Sequence, residues 1–222
     1  MGIVKEIPVG VNIGDEVVRF GQIHRAFAVT EHGQKLARST RYDRYKPDGI
    51  TNEKWERVLG VDVNNLKHLQ LTYGLTRRFI EYTANPSRLW QKAVSAQAQF
   101  TPEEQEDLLL AATVHDWAEA VVGDKMFDLK TRAEEDEELA VLQTMVQNLY
   151  RREEAQVIIL RIDNVINTVI KDRNTKLGRA FNAIERVGYL RTALRAWQKS
   201  READEELRTG LQWLTNNRHL AK

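Results

Sequence analysis

Cysteine is absent from this chain of 222 residues. That excludes disulfides, thiolate metal ligands and a cysteine nucleophile. An excess of one charge is missing too: 33 Lys+Arg stand against 32 Asp+Glu, a net charge of +1. Nothing in bulk electrostatics then draws the chain to a nucleic acid or an anionic membrane, so any phosphate recognition has to be local. No run of about 18 apolar residues occurs, and the start MGIVKEIPVGVNIGDEVV lacks a basic stretch followed by an apolar core. The expectation is a cytoplasmic protein with neither a membrane nor a nucleic-acid partner. With 42% of its residues hydrophobic, the chain can bury one substantial core.

Glycine is unevenly spread. From Gly10 to about Pro47 it punctuates short β-prone stretches, EVVRFGQ and IHRAFAVT, with Glu31-His32-Gly33 placed as a hairpin turn. After Pro47-Asp48-Gly49 it becomes sparse, and apolar residues recur at helical spacing. This predicts a mainly α protein: a small, partly β N-terminal extension over residues 1–60 and a helical bundle over 61–222.

Within the bundle, residues 64–83 read as a helix on which Leu71, Leu75 and Phe79 follow His68 at steps of three, seven and eleven, turning His68 inward. Thr101-Pro102-Glu103-Glu104 supplies an N-cap, a proline at the first helical position and the glutamate of a capping box. The helix it starts is expected to run until Gly123. Further helices are predicted at 131–150, 154–172, 175–199 and 201–218. The β-branched stretch VIILRIDNVINTVI is included because Asp163, Asn164 and Asn167 leave a helical apolar stripe. The acidic run Glu134 to Glu138 reads as the solvated start of a helix, favoured by the helix dipole.

Chemistry concentrates in LLLAATVHDWAEAVVG, residues 108–123, which is apolar nearly all round. The ionisable residues in it are His115, Asp116 and Glu119, and the spacings of four and three gather them within one turn. Burying two carboxylates and an imidazole uncompensated would cost several kcal/mol per charge, on the order seen for ions removed from water. A divalent cation neutralises them most economically; imidazole with carboxylate oxygen suits Mn, Fe, Co, Ni, Zn or, less well, Mg. Gly123 is placed to end the helix, with Asp124 next to it at the mouth of the cluster.

The ten residues HDWAEAVVGD, His115 to Asp124, match the pattern H-D-x-x-E-x-x-x-G-D. The chain thereby resembles the HD-domain metal-dependent phosphohydrolases, in particular the branch of bacterial 5′-deoxynucleotidases, over roughly His68 to Ala196. The resemblance implies one divalent metal ion held in a helical bundle by an upstream histidine, the His-Asp pair and a distant carboxylate. Carried over by residue, it gives His68, His115, Asp116 and Glu185 as metal ligands, with Asn182 and Asp163 as alternatives to Glu185. The family's Ala-Asp-Lys-Leu-like helix is represented here by KLGRAFNAIERVGYL, which has no aspartate, and Lys67-His68-Leu69 stands where relatives show Glu-His-Ser. Glu119 and Asp124 take the catalytic positions at the water and the leaving group. Lys130, with Lys125 nearer in sequence, and Arg57 take the phosphate-binding ones, although the prolines that flank the family's lysine are absent from GDKMFDLK. The basic-aromatic stretch ARSTRYDRYK could add phosphate contacts and base stacking.

The expected activity is hydrolysis of a nucleotide substrate: a 5′-(deoxy)nucleotidase acting on nucleoside monophosphates. The alternatives are a (deoxy)nucleoside triphosphate hydrolase and a non-catalytic nucleotide-sensing module. C-terminal helices containing Trp197 and Trp213 could form a homodimer surface.

Overall fold

The computed structural model describes residues 6–43, 46, 48–84, 99–124, 130–150 and 156–201. The predicted helix over 201–218, Trp213, Lys125 and the side chain of Trp197 lie outside what is described.

The chain opens with a two-stranded antiparallel hairpin, β1 (Gly10–Ile13) and β2 (Glu16–Arg19), in register Gly10 to Arg19. Its turn carries Gly14 at φ +60°, a conformation in which a Cβ is strained. From there the structure is helical: α1 (Phe20–Ala28), α2 (Glu31–Arg38), α3 (Asn52–Leu59), a 3₁₀ turn (Gly60–Asp62), α4 (Asn65–Ala84), α5 (Pro102–Val114), the single turn α6 (Glu119–Val122), α7 (Arg132–Leu149), α8 (Gln156–Val165) and α9 (Lys176–Arg201). Helix α8 continues as a π-helical segment, Ile166–Lys171. The architecture is mainly α with a small β element at the N-terminal side. None of the described helices is long and apolar enough to cross a membrane.

Two readings of the N-terminal segment are corrected. IHRAFAVT belongs mostly to α1, where Phe20, Ile23 and Phe27 recur at helical spacing and are buried together. Phe27 stacks on Trp117 with ring centroids 4.2 Å apart, and Phe20 meets Tyr73 at 5.8 Å. Glu31-His32-Gly33 is no hairpin turn but the first turn of α2, because Thr30 caps it by accepting from the Gly33 N–H.

Val11, Phe20, Ile23, Phe27 and Leu36 share one core with Leu108, Leu109, Val114, Trp117 and Ile162. A smaller apolar cluster joins Tyr42, Trp55, Val58 and Leu59 to Ala193 and Ala196 of α9. Helix α5 runs through the middle, against α4, α1, α8 and α9.

The long helix expected from Thr101 to Gly123 is interrupted. Helix α5 ends at Val114, and residues 115–118 form turns before α6 resumes. The backbone tightens to three-residue hydrogen bonds: Trp117 N–H to Val114 O, Glu119 N–H to Asp116 O and Val121 N–H to Ala118 O, at 2.8–3.1 Å. The interruption falls at His115 and Asp116, whose Nε2 and Oδ2 lie 3.3 Å apart. Gly123 does end α6, with φ +83°.

Candidate metal centre

Helix α4 supplies one wall. Its buried face carries Asn65, His68, Thr72 and Thr76 beside Leu69 and Ile80, while Leu71, Leu75 and Phe79 are only half-buried. His68 is inward as the periodicity requires, but its row is polar. Thr76 satisfies its hydroxyl on the Thr72 carbonyl (2.8 Å), so the row reaches the interior without a stranded donor.

The turn after α5 supplies the other wall. Asp116 Oδ2 lies 3.3 Å from His115 Nε2 and 3.6 Å from His68 Nε2. One ligand atom from each of His68, His115 and Asp116 falls within 4.8 Å of the others, and this buried group could hold a metal ion. On α9, buried Phe181 and Ile184 fix the helix so that Glu185 Oε1 stands 3.2 Å from His115 Nε2. Glu185 is thus brought to the cluster, at its more exposed side. Among the described contacts, none joins Asn182 or Asp163 to the two histidines; Asp163 sits on α8, its carbonyl accepting from Asn167.

His115 is 6% exposed, yet neither of its ring nitrogens has a hydrogen-bond partner. A buried imidazole left so is costly unless a ligand completes it. Burial by itself lowers its pKa, but the negative charges of Asp116 and Glu185, 3.3 and 3.2 Å from Nε2, outweigh that and raise it. Burial opposes the charge of Asp116, which His115, His68 and Arg41 nevertheless hold well below the usual carboxylate range. The donor set fits a divalent cation: two imidazoles and at least one ionised carboxylate.

Glu119 is buried, and Asn65 Nδ2 donates to its Oε2 at 2.6 Å. Burial pushes its carboxyl well above the ordinary range, and the charges of Asp116 and Asp124 push it further against Arg41 and Lys130. Asp124 is anchored: its Oδ2 accepts from the backbone N–H of Tyr42 at 2.9 Å. Lys130 is largely buried and paired with both oxygens of Glu138, at 2.7 and 2.9 Å. Its pKa is lowered by burial but raised overall by Glu138, Glu119 and Asp116, which locates it beside the cluster. Glu138, read from sequence as the end of a solvated acidic run, instead faces inward to hold that lysine.

Two further residues complete the centre: Arg41, from the basic-aromatic stretch ARSTRYDRYK, and Asp62, which sequence reasoning missed. Arg57 is exposed on α3, whose Trp55, Val58 and Leu59 face inward; the arginine delivered to the cluster is Arg41. Its backbone is pinned on both sides, by Arg41 N–H to Val63 O (2.9 Å) and Trp55 Nε1–H to Arg41 O (3.1 Å). The next residue, Tyr42, has φ +56°, a conformation that costs a non-glycine residue on the order of 1–3 kcal/mol. The Arg41 side chain is 4% exposed and donates through Nη2 to the Tyr42 hydroxyl (2.7 Å). Its Nη1 stands 3.9 Å from Asp116 Oδ2 and its Nε 3.8 Å from Asp62 Oδ2, and neither nitrogen has a hydrogen-bond partner.

The second is Asp62. Its Oδ1 lies 3.0 Å from His68 Nδ1 and its Oδ2 accepts from Thr192 Oγ1 at 2.7 Å. Burial opposes its ionisation, but Arg41 and His68 hold its pKa well below the normal range. Arg41 lies within the ARSTRYDRYK stretch already singled out for phosphate contacts, whereas nothing local marks Asp62, which precedes His68 by six residues and reaches Thr192 only on folding.

Asp62, Asp116, Asp124, Glu138 and Glu185, five carboxylates besides Glu119, share this region with two permanent cations, Arg41 and Lys130. The imbalance is what a dication would correct. Comparison with family models, curated proteins and solved structures finds no match.

Proposed function

We propose that this protein is a metal-dependent phosphohydrolase acting on nucleotides, a 5′-(deoxy)nucleotidase that releases inorganic phosphate from nucleoside monophosphates. The observation that carries the reading is the meeting of a metal-capable group, His68, His115 and Asp116, with a buried arginine whose Nε and Nη1 have no hydrogen-bond partner. A dication beside an unsatisfied guanidinium is a combination suited to a phosphate dianion.

In this reading His68, His115, Asp116 and Glu185 hold the ion, which supplies Lewis-acid polarisation of the phosphoryl group and lowers the pKa of the attacking water. Arg41 and Lys130 take the non-bridging oxygens and orient phosphorus for in-line attack. Glu119 accepts the proton of the water as its oxygen bonds to phosphorus. Asn65 holds one of its oxygens and leaves the other for the water. The bond from phosphorus to the nucleoside oxygen breaks on the opposite side, where that oxygen takes a proton from solvent steered by Asp124, and Glu119 then returns its own proton to solvent. Tyr42 fixes Asp124 by its N–H and packs near Tyr189, ring centroids 5.6 Å apart, a pair of aromatic faces beside the arginine.

The test is phosphate and polyphosphate release from a panel of mono- and triphosphate nucleotides by metal-stripped protein resupplied with Mn, Co or Mg. Phosphate from monophosphates, dependent on metal and lost in Asp116→Ala, is the expected result. Polyphosphate release would reassign the substrate to triphosphates; metal binding with no turnover would reassign the protein to ligand sensing.

A further inference from the structure

Resting on the metal-centre reading above, we infer that Asp62 is a positioning residue: it sets the tautomer of His68, so that Nε2 is the atom offered to the metal, and braces Arg41 with its second oxygen. Asp62 is the last residue of the 3₁₀ turn that leads into α4, six residues before His68. It is 3% exposed.

Its two oxygens have separate partners. Oδ1 faces His68 Nδ1 at 3.0 Å; Oδ2 accepts from Thr192 at 2.7 Å and lies 3.8 Å from Arg41 Nε. An ionised carboxylate accepts only, so the hydrogen between Asp62 and His68 belongs to Nδ1. The lone pair is then on Nε2, which lies 3.6 Å from Asp116 Oδ2 and 3.2 Å from Thr72 Oγ1, a hydroxyl able to donate to it until a metal takes its place. Thr192 ties the arrangement to α9, the helix that also carries Glu185. One carboxylate thereby aligns the metal side and the arginine side of the centre. As mere filling, a buried charge is a poor choice, because well-packed apolar residues usually serve stability as well or better. Histidines that bind metals generally give their other N–H to such an acceptor, and removing it costs about 10–100-fold in metal affinity.

The experiment uses the whole protein loaded with zinc and labelled with ¹⁵N-histidine, together with cobalt titrations of wild type, Asp62→Ala and Asp62→Asn. Long-range proton–nitrogen correlations are expected to show His68 protonated at Nδ1 and ligated through Nε2. Cobalt affinity should fall about 10–100-fold in Asp62→Ala. It should return close to the wild-type value in Asp62→Asn, whose amide oxygen still accepts from Nδ1 while its amide nitrogen donates to Thr192. Ligation through Nδ1, wild-type affinity in Asp62→Ala, or an Asp62→Asn as weak as the alanine variant would each overturn the assignment. Should the alanine variant fail to fold, the wild-type spectrum and Asp62→Asn decide. A wild type that takes up no metal overturns the centre itself, whereas the other outcomes remove only the role of Asp62.

Discussion

The two ends of α5 bury charge in opposite ways. At its N-terminal end Glu106 is 3% exposed and accepts from both the backbone N–H and the side-chain amide of Asn12, while Arg161 pairs with Asp107 at 2.7 Å and reaches Glu106 at 3.8 Å. Burial pushes the Asp107 carboxyl up, and Arg161 opposes it. That end carries its own counter-charge and fastens β1 to the bundle, although Arg161 Nε and Asp107 Oδ1 also lack hydrogen-bond partners. Just beyond the C-terminal end, His115 keeps both ring nitrogens without partners, and Arg41 keeps Nε and Nη1. Desolvation is costly at either place and both keep unsatisfied atoms, so the difference lies in the charge balance: two carboxylates around Arg161 at one end, six around Arg41 and Lys130 at the other. A cluster whose charges nearly balance acts as a tie; one with an excess of carboxylates around two histidines could hold a metal ion.

The strongest way to break this contrast is to remove a charge from each end. Asp116→Ala should abolish metal uptake, measured by equilibrium dialysis, and with it turnover. Glu119→Gln should keep the metal and lower kcat by about 10²–10⁴-fold, the usual range for loss of a general base. If both variants hydrolyse nucleotides at the wild-type rate, the carboxylate-rich cluster is not a catalytic centre.

Glu106→Ala is the matching change at the N-terminal end. It strands Asn12 and leaves Arg161 with Asp107 alone, so stability in urea unfolding should fall by about 3 kcal/mol, the lower part of the range for breaking buried ion pairs. Metal affinity should not change. A parallel loss of affinity would show that the two ends are one network and that the contrast is false.

What was legible in the sequence was local. Thr101 and Glu104 cap α5 reciprocally, Thr101 Oγ1 accepting from Glu104 N–H and Glu104 Oε2 from Thr101 N–H, because a capping box needs only four consecutive residues. The helical stripe of VIILRIDNVINTVI likewise prevailed over its β-branched composition. Residues 20–28 misled because Phe20, Ile23 and Phe27 fit a helix, while the IHRAFAVT window contains too few apolar positions to show that period by itself. The break at His115 was illegible for another reason: residues 108–122 are apolar nearly all round and contain neither proline nor glycine to interrupt a helix. Arg41 was legible only as part of the basic-aromatic stretch ARSTRYDRYK, while Asp62 meets His68 and Arg41 as a lone aspartate, which carries no mark of partners found only on folding.

Arg41→Ala sharpens the comparison within the carboxylate-rich cluster. A hydrogen bond to a charged group contributes about 1.5–3 kcal/mol, which converts to roughly a tenfold to hundredfold rise in KM for a monophosphate nucleotide. Arg41→Lys should recover little, because an ammonium cannot reproduce the planar fork that bonds Tyr42 and still presents Nε and Nη1. Wild-type KM in the alanine variant would remove Arg41 from the substrate site.

The smallest effect is expected at Arg57, and its smallness is informative. Arg57 precedes His68 by 11 positions against 27 for Arg41, so by sequence alone it is the nearer basic residue. Helix α3, however, spends its inward face on Trp55, Val58 and Leu59, and that leaves Arg57 exposed. An exposed helical arginine without such a role changes stability by less than about 0.5 kcal/mol when truncated. Arg57→Ala should leave KM, kcat and unfolding midpoint at their wild-type values, measured beside Arg41→Ala under one salt concentration. A rise in KM for both would mean that phosphate is held across the surface of α3 as well as in the buried centre. A rise for Arg57→Ala alone would move the phosphate site out of the cluster and leave the unpaired nitrogens of Arg41 without a substrate to bind.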